Sequence, residues 1–162
     1  MCTQSSIVFN QLDDLGVQYE VIHHTAVYTI EEMERLKLPY EDVCKNLFLR
    51  DSKGRRHFLV TMSKDKKADL KSIQNQIGCT NLSFASEKRL HKYLKLNKGE
   101  VTPFGILNDK DCSVEVVFDM DLMDKSKLGV HPNDNKATVW ISFIDLRKVV
   151  ELNGNIIHFV KI

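Results

Sequence analysis

Apolar residues recur at helical spacing over residues 5–15, where Val8, Phe9, Leu12 and Leu15 share one face and Gly16 closes the run. The period changes to strand-like over 19–24 (YEVIHH). Thr29 with Glu32 three residues later forms a capping-box pattern for a helix over 29–36, with Ile30, Met33 and Leu36 on one face. Pro39 opposes its continuation. Residues 43–51 and 56–62 then alternate around a turn that contains Gly54, which predicts a hairpin. In a regular strand Lys45, Leu47 and Leu49 share one face, and Cys44, Asn46 and Phe48 the other.

The second half continues in the same manner. Leu70, Ile73 and Ile77 place a helix over 68–78, and residues 83–86 read as a short strand or turn. Ser86 caps a helix over 87–94 that turns Leu90, Tyr93 and Leu94 inward and leaves Lys88, Arg89 and Lys92 in water. The stretch 99–108, GEVTPFGILN, fits neither period. Strands follow at 112–120 and 137–143, and Trp140 is expected between strand and helix. Ser142 and Asp145 start a last helix with Leu146, Val149 and Val150 inward; Gly154 ends it, and 156–162 closes the chain as a strand. The expectation is an α/β fold in one domain over 1–162, with a single mixed, largely antiparallel sheet and surrounding helices.

A length of 162 residues with 43% hydrophobic content suffices for a substantial core. No apolar run reaches membrane-span length and no basic start leads into an apolar stretch, so a cytoplasmic protein without membrane contact is expected. Cys2, Cys44, Cys79 and Cys112 are too scattered for zinc-ribbon or thioredoxin spacings and read as free thiols. The net charge of +1 conceals an asymmetry. Residues 45–98 hold fourteen Lys/Arg against four Asp/Glu, and the remainder nine against eighteen. Solvated surface and a one-sided polyanion-binding face both explain this. Composition does not separate them.

Motifs exclude more than they select. Glycine-rich nucleotide loops, zinc-protease and deaminase signatures and the serine-hydrolase elbow are absent. His23 and His24 point opposite ways in a strand, which disfavours joint metal ligation, and the acidic residues of 109–124 read as turns and strand ends. Lys45, Asn46, the 99–103 segment and His131 remain. No serine or cysteine nucleophile with its base is identifiable from order alone.

Taken together, VIHHTAVYTIEEM (21–33), CKNLFLRD (44–51), HFLVTM (57–62), SFASEKRLHKYLKLNKGEVTPFGILND (83–109) and GVHPNDNKATVWISFIDLRKVVELNG (129–154) resemble the free-standing aminoacyl-tRNA editing domains of the YbaK/ProX superfamily. The likeness is greatest to the ProX (PrdX) branch, which removes alanine mischarged on proline tRNA. It spans nearly the whole chain and rests on order and spacing more than on any one piece. The family's lysine falls on Lys45, followed by Asn46; its GxxxP loop on Gly99 to Pro103; its HPxxN-like element on His131, Pro132 and Asn135.

The resemblance implies a trans-editing deacylase in which water attacks the ester with help from the substrate's own terminal ribose hydroxyl, without an acyl-enzyme. It implies catalytic roles for Lys45, Gly99 and His131, and substrate binding by Asn46, Thr102, Pro103, Phe104, Gly105 and Asn135. The basic residues Lys64, Lys66, Lys67, Lys88, Arg89 and Lys92 would meet the tRNA. No cofactor or metal is implied. The implied partner is mischarged tRNA(Pro), met directly or through prolyl-tRNA synthetase, by a monomer that does not bind DNA. A cysteine-specific deacylase of the same fold and a non-catalytic tRNA- or synthetase-binding module are the alternatives.

Overall fold

The computed structural model describes residues 3–162. Helix α1 (Gln4–Asp14) starts at a capping box in which the Thr3 side chain accepts from the Ser6 N–H and Ser6 accepts in return. Strand β1 (Tyr19–His23) leads to α2 (Ile30–Glu34), whose Thr29 cap accepts from the Glu32 N–H. Its carboxylate accepts from the Tyr28 N–H one residue before the cap. This helix is shorter than its periodicity suggests.

The hairpin β2 (Cys44–Arg50) and β3 (His57–Ser63) follows, then α3 (Leu70–Ile77), β4 (Ser83–Phe84) and α4 (Glu87–Leu94), capped by Ser86 as expected. The unexplained stretch after Gly99 becomes a 3-10 helix over Pro103–Asn108. Strands β5 (Val114–Asp119), β6 (Leu128–Val130) and β7 (Ala137–Ile141) precede α5 (Phe143–Asn153) and β8 (Ile157–Val160).

The α/β class and the mixed pairing agree with the sequence, but the strands divide into two sheets. One is antiparallel in the order β1-β7-β6; the other runs β4-β2-β3-β5-β8, with β3-β5 and β5-β8 parallel. A single parallel bridge, Val43 to Gly129, joins them. Strand β6 has only three residues, too few for a period, and it exists by pairing with β7.

Alternation in β2 separates two cores. Leu49 packs with Phe58, Val60, Met62 and Ile73 of α3, whereas Phe48 joins Leu59, Leu90, Phe104, Phe118 and Leu146 on the opposite face. A third cluster of Val27, Met33, Val43 and Trp140 ties α2 to both sheets. Trp140 is fully buried, with the Tyr40 ring edge-on at 5.2 Å. Its ring lies over Gly129, where a Cβ would come within 2.7 Å. Burying that indole fixes the wall of the cleft described next.

Candidate active site

Strand β2, the approach to α2, and the loop at Gly99 enclose a cleft of about 270 Å³. Lys45, Asn46, Gly99 and His131 all line it, so four residues distant in sequence meet in one place. Lys45 is half-buried and belongs to none of the ion pairs among the described residues. The cleft therefore holds a lysine without a competing carboxylate partner. Asn46 is oriented by its cross-strand neighbour: Thr61 Oγ1 donates to Asn46 Oδ1 at 2.7 Å, which turns the amide Nδ2 away from that contact.

The backbone of β2 also serves the cleft. Carbonyls of Asp42 and Phe48 accept at the outer edge of the strand from Gly129 and Ala85, both at 2.9 Å. By strand alternation Cys44 and Asn46, between them, direct their N–H and C=O groups to that same edge. Cys44 is no nucleophile. Burial, with Asp42 and Asp119 adding to it, pushes its thiol up to about 12.

Gly99 adopts a left-handed φ of 85°, and a Cβ there would meet the Tyr28 ring at 2.7 Å. Both the turn and the aromatic contact require glycine. Two residues on, Val101 still faces the cleft. Thr102 is fully buried and its hydroxyl donates to the His131 carbonyl at 2.5 Å, fastening the loop to the histidine segment.

His131 Nδ1 lies 3.0 Å from the Ala137 carbonyl, which can only accept, so Nδ1 carries the proton and Nε2 keeps its lone pair. Burial holds this imidazole below its ordinary 6.5; the Ala137 hydrogen bond and Asp134 work against that shift, and His24 adds to it. His24 stands 6.4 Å away, ring to ring, held by Thr25 O and Thr138 Oγ1 at 2.8 Å each.

Other expected pocket residues lie behind the cleft. Pro103, Phe104 and Gly105 are buried at the start of the 3-10 helix, Phe104 in the main core and Gly105 against Leu94 and Leu96. Asn135 is buried as well, and its carbonyl accepts from the Val27 N–H at 3.2 Å, so it braces the cleft wall from outside. Conversely, Val27, Tyr28, Ile30 and Met33 form walls that the sequence reading did not assign to the site. Tyr28 carried one signal, a large aromatic just before a helix cap.

The basic residues divide too. Lys66 reaches Asp119 at 2.7 Å and also Asp121 and the Ile162 carbonyl, and Lys64 pairs with Asp65 and Glu34. Arg89 donates to Gly54 O and His57 Nε2. Lys67, Lys88 and Lys92 are exposed or half-exposed and stand outside the ion pairs of the described residues.

A family model for the aminoacyl-tRNA editing domain matches residues 24–149, which include every residue of this cleft. The chain belongs to that family. This editing domain is 58% identical over 149 residues to the prolyl-tRNA editing protein ProX of Acetoanaerobium sticklandii, covering 91% of each chain. It is 34% identical to prolyl-tRNA synthetase associated domain-containing protein 1 of Mus musculus, over 90% of this chain and 88% of that one. Among solved structures, a proposed trans-editing enzyme for prolyl tRNA synthetase superposes with a TM-score of 0.73 at 18% identity, covering 100% of this chain and 99% of the other. That likeness is one of fold. Among the described residues no helix is long and apolar enough to cross a membrane.

Proposed function

We propose that this chain is a trans-editing aminoacyl-tRNA deacylase that hydrolyses alanine esterified to tRNA(Pro), with residues 1–162 acting as one domain. The observation that carries the reading is the meeting of Lys45, Asn46, Gly99 and His131 on one small cleft in a member of the editing family. The 58% identity to a prolyl-tRNA editing protein supports proline tRNA as its carrier.

In this reading Lys45 attracts the terminal phosphate as a point charge, and the Gly99 loop brings backbone N–H groups to the carbonyl oxygen as negative charge develops there. Water adds to the ester carbonyl, the bond to the ribose oxygen breaks, and that oxygen leaves with a proton, yielding alanine and free tRNA. The neutral Nε2 of His131 accepts a hydrogen bond from water or the ribose. With the Cys44 thiol held up to about 12, attack by water rather than by a thiolate is favoured. The apolar walls at Val27, Ile30 and Met33 enclose a small side chain and exclude the proline ring, the sense of a second sieve. The domain works as a cytoplasmic monomer, in trans to the prolyl-tRNA synthetase whose errors it clears.

The test follows hydrolysis of Ala-, Cys- and Pro-tRNA(Pro) by the native protein and by Lys45→Ala. Loss of the alanine ester alone, strongly slowed in the variant, is expected. Preferential loss of the cysteine ester would replace the substrate, and tRNA binding without hydrolysis would overturn the enzyme.

A further inference from the structure

A second groove, of about 390 Å³, continues from the cleft and shares Asn46, Leu47, Gly99 and Val101 with it. Its size lies within the range of small-ligand pockets. Phe84 of β4 lines it and is 64% exposed, although it is paired through its backbone to Leu49. A single exposed apolar residue is ordinary. A phenyl ring left open in a groove that leads out of a polar cleft is more informative, because it offers a flat apolar face beside the site.

The surroundings indicate what can occupy it. The groove at Met33, which shares Met33 and Val43 with the cleft, carries Glu34, Glu41 and Asp65 against Lys64 alone. The groove at Met120 carries Asp42, Asp121 and Asp124 against Lys66 and Lys125. A polyanion leaving the cleft is repelled along both routes. The Phe84 groove holds one acid, Glu87, balanced by Lys98. With no excess charge of either sign, it suits the face of a base better than a phosphate.

We propose that the acceptor 3′ end leaves the cleft through this groove, with the base that precedes the terminal adenosine stacked on the Phe84 ring. The inference rests on the editing reading for the placement of the terminal adenosine. Stacking on an exposed aromatic is tolerant of base identity and suits an invariant single-stranded end.

The experiment compares two alanine esters, an acceptor-stem minihelix and adenosine alone, with the native protein, Phe84→Ala and Phe84→Tyr. The native preference for the minihelix, read as the ratio of KM values, is expected to shrink roughly 5- to 100-fold in Phe84→Ala and to be restored in Phe84→Tyr. An unchanged ratio overturns the proposal, including the case where both substrates suffer equally, as a purely structural role would require. Binding is followed separately with an uncharged minihelix carrying 2-aminopurine at the penultimate position. Quenching of its fluorescence by the native protein, lost in Phe84→Ala, is expected. Quenching without any ester hydrolysis would support the stacking and sink the editing reading; hydrolysis without quenching would do the reverse.

Discussion

Lys45 sits half-buried at the end of β2 without a carboxylate partner among the described residues, so its charge is available to a ligand. In the proposed mechanism its loss would misplace the ester, so Lys45→Ala should lower kcat/KM by about 100-fold. Lys45→Arg should recover only part of this, because a planar fork does not reproduce a compact ammonium; steady-state deacylation separates the three proteins. Gly99 carries a different kind of constraint. Gly99→Ala costs roughly 1–2 kcal/mol of backbone strain at φ 85° and drives a methyl into Tyr28, so activity should fall more than stability does. A melting curve that moves while turnover does not would contradict this. If His131 serves as proposed, it sets the pH behaviour. Its imidazole protonates below its ordinary 6.5, so kcat/KM should stay level as pH falls through 6.5 and bend only at lower values. A bend at or above 6.5 would show that the neutral ring is not what the reaction uses.

Between elements, α4 is clamped to the β2–β3 hairpin through Arg89, which donates to His57 Nε2 at 3.0 Å while the Tyr93 ring lies 4.1 Å from the imidazole. Burial, and the Arg89 charge after it, holds His57 down at about 4. The unfolded chain thus takes up this proton first as pH falls. Stability conferred by the neutral ring is intact above about pH 6.5 and declines toward pH 4, by roughly 3 kcal/mol over that window. Denaturant midpoints at pH 7 and 4.5 measure the loss, and His57→Phe should flatten that part of the slope. The clamp was not legible in the sequence, where Arg89 read as a wet cation on a helix face. Caps at Thr29, Ser86 and Ser142 and the two faces of β2 were legible because each depends on neighbours within a few residues. The division into two sheets and strand β6 were not, since both follow from pairing across distant segments. The site shows the same boundary. The resemblance named Lys45, Asn46, Gly99 and His131, which converge, but the same motifs carried Thr102, Phe104 and Asn135, whose side chains turn into the interior; order along a loop does not say which side faces in.

Across the molecule, the charge asymmetry that suggested a basic face is partly consumed inside the fold. The excess of 45–98 meets the acids of 109–124 directly, Lys66 with Asp119 and Asp121, while Arg56 reaches Glu115 with two hydrogen bonds of 2.9 Å. Asp119 is fully buried, so Lys66→Met strands a carboxylate and should cost about 3–5 kcal/mol, a stability loss rather than a loss of RNA contact. Of the six expected tRNA contacts, Lys67, Lys88 and Lys92 keep their charge outside the ion pairs of the described residues, the last two four residues apart on one side of α4 and both exposed. If these two meet acceptor-stem phosphates, binding must weaken with salt in proportion to the counterions they release. The slope of log K for uncharged tRNA(Pro) against log salt should then shrink by about 1.5 in Lys88→Ala/Lys92→Ala, near 0.7–0.9 for each contact. Lys64→Ala, whose ammonium already serves Asp65 and Glu34, should leave that slope where it was. Equal slopes for the native protein and the double variant would move the RNA face away from α4; a large change from Lys64→Ala alone would mean that its ion pairs open to admit the tRNA.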